Sequence, residues 1–480
     1  MSHQEGSCNG DLGRTARNRI SEITGIQVQN LIRKLDVLLP ILLPKPLELQ
    51  EILHEGDFTT GEYNPKTGST GKHVLQEVSI LGHLRRINAL QDHDHQQQKG
   101  EELEPARPCP NTVAFELGAG TGKLSDRLQK VTNARMHHIL IDRQNFQPQK
   151  CRIRHMIARR NKIHAAEVDK VSENLSNDTI EQQSEGRRKR TRLTSIDHDG
   201  SKRFPLVRRV VADLASLKLE EYVNCCPPST PDESVIEYQE AITDVNQGIG
   251  DGSTLSPKEK LLPLKQHQQH PCNCICLSKH LCGPACDISI GAINRIDTNL
   301  AFRPDCVIVA TCCHYLCTWD SFTSASQKFW TTCRLNQDDF EVAVTVSQWA
   351  SLKSNKKIKP SSVTSSASSL CTGSAEDFSN TSPFPNLLDL ARKAGESLRS
   401  STSSSSEEES PSSLVPSEEF ERSFSKESKI ALGIQAKQLL DLARIAALQQ
   451  HGKYDVELVR FTTRSVEDRL LIAYKRRVGI

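Results

Sequence analysis

The sequence predicts a doubly wound α/β sheet, and three observations carry that fold class. Val113 to Leu124 runs from an apolar stretch ending in Glu116, through Gly118, Gly120 and Gly122, into an amphipathic stretch with Leu124, Leu128 and Val131. That order reads as strand, glycine turn and helix. Further short apolar runs follow at His138–Asp142, Val207–Leu214, Asn273–Ser278 and Cys306–Ala310, and polar residues close or follow them. In an open α/β sheet such ends gather along one edge. The chain then offers a strongly apolar helical run, Ile430 to Leu448, and two strand-like runs, Tyr454–Thr462 and Arg469–Arg476, that read as a closing hairpin.

Composition bounds how much of the chain joins that sheet. Only 36% of the 480 residues are hydrophobic, and Ser-rich and Gln-rich tracts stand out. The expectation is one sizeable domain with excursions rather than several domains. The division read from the sequence is a disordered amino terminus over 1–25, a helical extension and linker over 26–110, and a catalytic domain over 111–480. Flexible insertions are expected at about 165–202, 224–270 and 354–428.

The formal net charge of +2 gives no global pull towards nucleic acid, so any RNA contact has to come from local basic patches. No signal peptide is seen, and no apolar run is long enough to span a bilayer; the best, Val37 to Leu43, is broken by Pro40. Sixteen cysteines at irregular spacing suggest reduced thiols in an intracellular compartment, nucleus or cytoplasm, rather than a secreted disulfide scaffold.

Ahead of the glycine turn, Val28, Leu31, Ile32, Leu35, Leu38 and Leu39 fall at helical spacing until Pro40, Pro44 and Pro46 break the run. A second helix is expected from about His73 to Leu90, with Val74, Val78, Leu81, Leu84 and Ile87 on one face. Behind the second strand a basic segment carries Lys150, Arg152, Arg154, Arg159, Arg160 and Lys162 beside an apolar stripe of Ile153, Met156 and Ile157. It is a solvated helix face or a phosphate-contacting surface. Arg187-Arg188-Lys189-Arg190 reads as a nuclear localisation signal or a non-specific RNA arm. Trp330 to Ser351 is mixed in pattern.

The glycine turn admits three ligand classes. A phosphate-binding loop needs Gly where Leu117 stands and Ser or Thr where Leu124 stands, and a dinucleotide fingerprint needs Gly in place of Lys123. What remains, Glu-x-Gly-x-Gly-x-Gly, resembles the first motif of Rossmann-like S-adenosylmethionine methyltransferases. The resemblance implies that Glu116, Gly118, Gly120 and Gly122 lie under the methionine part of S-adenosyl-L-methionine. Asp142, 20 residues after Gly122, closes the second strand where an acidic residue accepts from ribose hydroxyls. Asp213, at the end of the third, takes the position that meets the adenine amino group in that fold.

Two polar clusters follow later strands: Lys279-His280-Leu281-Cys282-Gly283 after the fourth and Thr311-Cys312-Cys313-His314 after the fifth. Together they mark the crevice at the strands' carboxyl ends. Phe115–Ser125, Ile141–Arg143, Ser278–Gly283 with Asp287, and Cys312–Trp319 resemble the tRNA:m4X modification enzyme family, tRNA ribose 2'-O-methyltransferases that act on nucleotide 4 of the acceptor stem. The likeness reaches His73–Gly82 and the tail Ile430–Tyr474. It implies tRNA as partner, with no DNA and no membrane. In one respect the chain departs: that family carries small Cys/His zinc fingers at its amino terminus, whereas here only Cys8 and Cys109 precede Gly120, and two cysteines that far apart make no finger.

Methyl transfer to a ribose hydroxyl needs a group that orients or deprotonates a poor acid. Lys279, His314 and His280 are the candidates, in that order. Cys272, Cys274, Cys276, Cys282, Cys286, Cys312, Cys313 and Cys317 are read mainly as small apolar residues, so no metal ligand is assigned, although zinc binding by them with His314 stays open. Two rival readings remain: an RNA cytosine-5 methyltransferase with Cys312 as nucleophile, and a catalytically inactive tRNA-binding protein that keeps the fold.

Overall fold

The computed structural model describes residues 23–58, 71–90, 112–132, 136–144, 152–163, 166, 207–219, 222, 273–296, 304–352, 383–403, 424–462, 465 and 467–476. The expected linker 91–110, the bulk of the insertions at 165–202 and 224–270, the run Arg187–Arg190, and Cys8, Cys109 and Cys272 lie outside these residues.

The centre is a seven-stranded sheet in the order β3-β2-β1-β4-β5-β7-β6. Its strands are β1 Val113–Leu117, β2 His137–Asp142, β3 Val207–Val211, β4 Cys274–Cys282, β5 Cys306–Cys312, β6 Tyr454–Arg460 and β7 Arg469–Lys475. The first five run parallel to one another, while β7 lies antiparallel between β5 and β6. Every residue of β1 and β5 is buried, which is why these strands read as continuous apolar runs: both faces of a central parallel strand are covered.

Alternation assigns the two faces. Val113, Phe115 and Leu117 of β1 join one core with Val307 and Val309 of β5, while Ala114, Ile308 and Ala310 join a second core on the other face. The second core is closed by Ile80, Leu81 and Leu84 from α2, Lys72–Arg86, and by Leu124 and Leu128 from α3, Lys123–Val131. The first face holds α1, Gly25–Leu42, together with α4, Pro284–Arg295, α5, Ser324–Thr332, α6, Gln337–Ser347, α7, Leu387–Ser403, and α8, Lys426–Gln449.

Several boundaries differ from the sequence expectation. Helix α1 opens on a capping box between Thr24 and Gln27 and runs through Pro40 to Leu42. Pro40 sits in its last turn, and Leu43 N–H still donates to the Leu39 carbonyl at 2.8 Å, so the proline does not stop the helix where it stands. Strands β4 and β5 continue to Cys282 and Cys312, so Lys279, His280, Thr311 and Cys312 lie within strands rather than after them. The β4–β5 register shifts between Ser278 and Leu281, and a local irregularity of this kind re-aims side chains. Strand β3 stops at Val211, which puts Asp213 two residues beyond it.

The mixed segment Trp330–Ser351 resolves into the end of α5, helix α6 and a short 3-10 turn, Gln348–Ser351. Helix α7 lies inside 354–428, where composition shows no element. It buries Leu387, Ala391, Ala394 and Leu398 and packs against α1 and α5. These residues stand at i, i+4, i+7 and i+11, a helical apolar stripe that the Ser-rich composition of the tract around it obscures in the sequence.

Candidate active site

The glycine turn joins β1 to α3. Gly118, Gly120 and Gly122 all have positive φ, at 65°, 54° and 76°, a region that side chains with a Cβ rarely adopt. Their surroundings differ. A Cβ on Gly122 would come within 2.5 Å of Leu140 Cδ2, and one on Gly118 within 2.9 Å of Leu281 Cδ2 and 3.4 Å of the His280 carbonyl. A Cβ on Gly120 would meet nothing within 4 Å. Gly122 and Gly118 therefore serve packing, and Gly120 is the open member of the turn. Gly118 also ties the turn to β4 at the very residues the sequence marks as chemical.

Glu116 lies on the α2–α3 face and is buried. Its Oε2 accepts from Ser125 N–H at 2.9 Å in the first turn of α3, where a helix offers unpaired N–H groups. Burial pushes its carboxyl up to about 7, against the Ser125 hydrogen bonds that favour the ionised form. Asp142 closes β2 and reaches across: its Oδ2 accepts from Gly120 N–H at 2.7 Å and its Oδ1 from Gln144 N–H at 2.9 Å. Arg209 of β3 donates to the Gly120 carbonyl at 2.8 Å. Glu116, the glycines and Asp142 thus form one constellation. Asp213 stands apart from it, exposed, with its Oδ1 accepting from Ala215 N–H at 3.0 Å as the start of a turn.

The three candidate catalytic residues do not meet in one cluster. Lys279 is buried and points to the α2 side, where Nζ lies 2.6 Å from Glu77 Oε1 and 2.9 Å from the His73 carbonyl. Glu77 Oε2 in turn accepts from Arg127 Nε of α3 at 3.1 Å. Burial lowers the Lys279 ammonium, while the Glu77 charge and hydrogen bond act to raise it. His280 is exposed and its ring meets that of His73 edge-on, centroids 5.6 Å apart. Partial burial, the Lys279 cation and His73 lower it to about 4.

His314 is engaged with a different set of partners. Its side chain is 1% exposed and Nε2 lies 2.7 Å from Asp441 Oδ1 of α8. Asp441 also faces Arg444 Nη1 at 3.1 Å and Arg469 Nη1 at 3.4 Å, and accepts from Thr311 Oγ1 at 3.3 Å. Arg444, fully buried, makes a two-pronged pair with Asp287 at 2.8 and 2.9 Å. Burial lowers His314, and although burial alone would raise Asp441, the groups around it hold its carboxyl well below the usual range. This network fastens α8 to α4 and to the end of β5. Glu77, Asp441 and Arg444 escaped the sequence reading because a lone charged residue on a helix is ordinarily solvated; only its place on an apolar helix face hints at burial.

The cysteines split into two groups. Cys274, Cys276, Cys286, Cys306, Cys317 and Cys333 are buried within the apolar cores, as small hydrophobic residues. Cys282, Cys312 and Cys313 belong to none of those cores, and their sulfur atoms gather within 4.8 Å of one another. Hydrogen bonding from Cys282 and Cys313 raises the Cys312 thiol, which is itself buried. Cys312 is buried, whereas reactive cysteines sit in partially exposed surroundings.

The basic segment forms a helical run, 153–163. Met156 is buried against Ala119, Leu140 and Val207, and Arg159 is engaged within the protein by Asp126 at 2.9 Å and Gln129 at 2.7 Å. Arg154 and Lys162 remain exposed.

No helix among the described residues is long and apolar enough to cross a membrane. We found no match among curated proteins and none among solved structures. Residues 259–474 match the family model described as Methyltransferase TRM13. The match takes in β4 to β7 with Lys279, His280, His314, Asp441 and Arg444, and it stops short of the glycine turn. Over that span the chain is similar to the TRM13 methyltransferase family, a likeness that supports a tRNA methyltransferase.

Proposed function

We propose that the chain transfers a methyl group from S-adenosyl-L-methionine to the ribose 2'-hydroxyl of nucleotide 4 in the tRNA acceptor stem, on a Rossmann-like methyltransferase core. The observation that carries this reading is the contact between Gly118 and β4. It brings the glycine turn, with the open Gly120, against His280 and Leu281 of the family-matched half. A cofactor seat and an acceptor seat then share one edge of the sheet, as ligands do at strand carboxyl ends.

When bound, the cofactor supplies an already activated methyl group. The chain's own task is to align the hydroxyl and take its proton. Asp142, which already fixes Gly120, is oriented for ribose hydroxyls, and Glu116 and the N-terminus of α3 border the other end of the turn. Asp213, exposed beyond β3, is the proposed partner for the adenine edge. Lys279, held by Glu77, directs the acceptor hydroxyl, and His280 is the accessible proton acceptor beside it. In this reading His314 acts as a positioning residue after the β5 end rather than a base, a role its ring's burial against Asp441 supports.

An A-form acceptor stem is recognised by shape, phosphates and 2'-hydroxyls, and Arg154 and Lys162 offer exposed charge for phosphate contact. Free cysteines among the described residues and a tRNA substrate fit an intracellular site, nucleus or cytoplasm.

Incubating the protein with labelled S-adenosylmethionine and unmodified tRNA, then digesting to nucleosides, tests the reading. A 2'-O-methyl nucleoside is expected. 5-Methylcytidine would transfer the chemistry to Cys312, and bound cofactor without any product would leave a tRNA-binding protein.

A further inference from the structure

Cys282 ends β4 and Cys312 ends β5, and the two are register partners on neighbouring parallel strands. Their sulfur atoms are 3.4 Å apart. Cys313 follows at once with φ of 50°, a left-handed backbone that is uncommon for a residue with a side chain. Its sulfur completes a triangle in which all three atoms lie within 4.8 Å of one another. Sulfur ligands at about 2.3 Å around a tetrahedral zinc ion stand roughly 3.8 Å from each other, a spacing that falls between these two distances.

The surroundings distinguish this trio from the other described cysteines. Cys312 is buried, Cys313 half-buried and Cys282 exposed, so the cluster has a closed floor and one side reachable from solvent. Three sulfur donors suit a thiophilic cation rather than magnesium or calcium, which take oxygen ligands.

We propose that Cys282, Cys312 and Cys313 form a three-thiolate site for zinc at the carboxyl ends of β4 and β5, with the fourth coordination position on the solvent side. Binding releases the three thiol protons to solvent and leaves three Zn–S bonds, with no change of oxidation state. The ion ties together the end of the strand that carries Lys279 and His280 and the end of the strand that leads into His314. It is distinct from any amino-terminal finger, and the proposal stands independently of which tRNA atom is methylated.

The test uses the full chain, purified reduced and without chelator, with zinc content measured by atomic emission and Co²⁺ added to the metal-free protein as a spectroscopic probe. Wild type is expected to carry zinc and to give a thiolate-to-cobalt charge-transfer band. Cys282→Ser and Cys313→Ser should each lose one zinc per chain and the corresponding band, while Cys333→Ser, in the apolar core, retains both. Because Cys282 is exposed, Cys282→Ser leaves the core intact, and far-ultraviolet circular dichroism checks its fold. Unchanged zinc in both cluster variants overturns the proposal. So does folded, reduced wild type that takes up neither metal, or a Cys282–Cys312 disulfide found by mass spectrometry under the same conditions.

Discussion

Lys279 Nζ sits 2.6 Å from Glu77 Oε1, and this buried pair crosses from the central strand β4 to helix α2, outside the family-matched span. Breaking a buried pair from one side leaves the other charge uncompensated, typically at about 3–5 kcal/mol. Glu77→Gln removes the carboxylate that faces both Lys279 and Arg127, and its unfolding free energy should fall by about 3 kcal/mol in denaturant titration. Lys279→Met leaves Glu77 paired with Arg127. It should cost less stability yet abolish methyl transfer while cofactor binding persists, a split visible by calorimetry beside a turnover assay.

Asp441 offers a contrasting case. Asp441→Ala removes the counter-charge that faces Arg444, Arg469 and His314 in the buried network, and a loss of about 3 kcal/mol or more in denaturant titration is expected. His314→Gln loses one buried hydrogen bond, about 1–3 kcal/mol, and the folded fraction should keep turning over within several-fold of wild type. A thousand-fold fall in kcat with unchanged stability would instead make His314 a base.

The glycines separate packing from ligand approach. Gly122→Ala drives a Cβ to within 2.5 Å of Leu140 at a φ of 76° and should lower the melting temperature markedly. Gly120→Ala meets open space at a φ of 54°, so only backbone strain of about 1–2 kcal/mol opposes it. Its expected signature is weakened S-adenosylmethionine binding, ten-fold or more, in a protein that still folds; unchanged affinity would remove Gly120 from the cofactor seat.

Glu116 sets a pH dependence. Burial raises its carboxyl from the usual 4.5 to about 7, so the folded state holds this proton more tightly than the unfolded one. The associated stability is fully present below about 4.5 and is lost as pH rises through about 7, roughly 3 kcal/mol in all. Glu116→Gln keeps an acceptor for Ser125 N–H and should flatten that slope, the comparison being melting temperature against pH from 5 to 8.

Much of the sheet was legible because its signals are local. Period, glycine spacing and apolar runs located β1, β2, β6 and β7 to within a residue or two, and Asp142 was found by its distance from Gly122. The pairing that places Asp142 on Gly120 N–H follows from β1 lying beside β2. What stayed hidden depends on contacts between distant segments. The strand ends of β4 and β5 were set two to four residues short because Lys279, His280 and Thr311 look like loop residues. Their polar side chains are accommodated by Glu77, His73 and Asp441 from helices far away in sequence. The burial of His314 depends on α8, more than a hundred residues on, and no pattern around His314 encodes it.

The most direct test of the central claim compares two tRNA transcripts that differ in one atom. One is unmodified, and the other carries a 2'-deoxyribose at nucleotide 4 of the acceptor stem. With labelled S-adenosylmethionine, the first should gain methyl groups and the second should gain none. Equal labelling of both would contradict ribose 2'-O-methylation at that nucleotide.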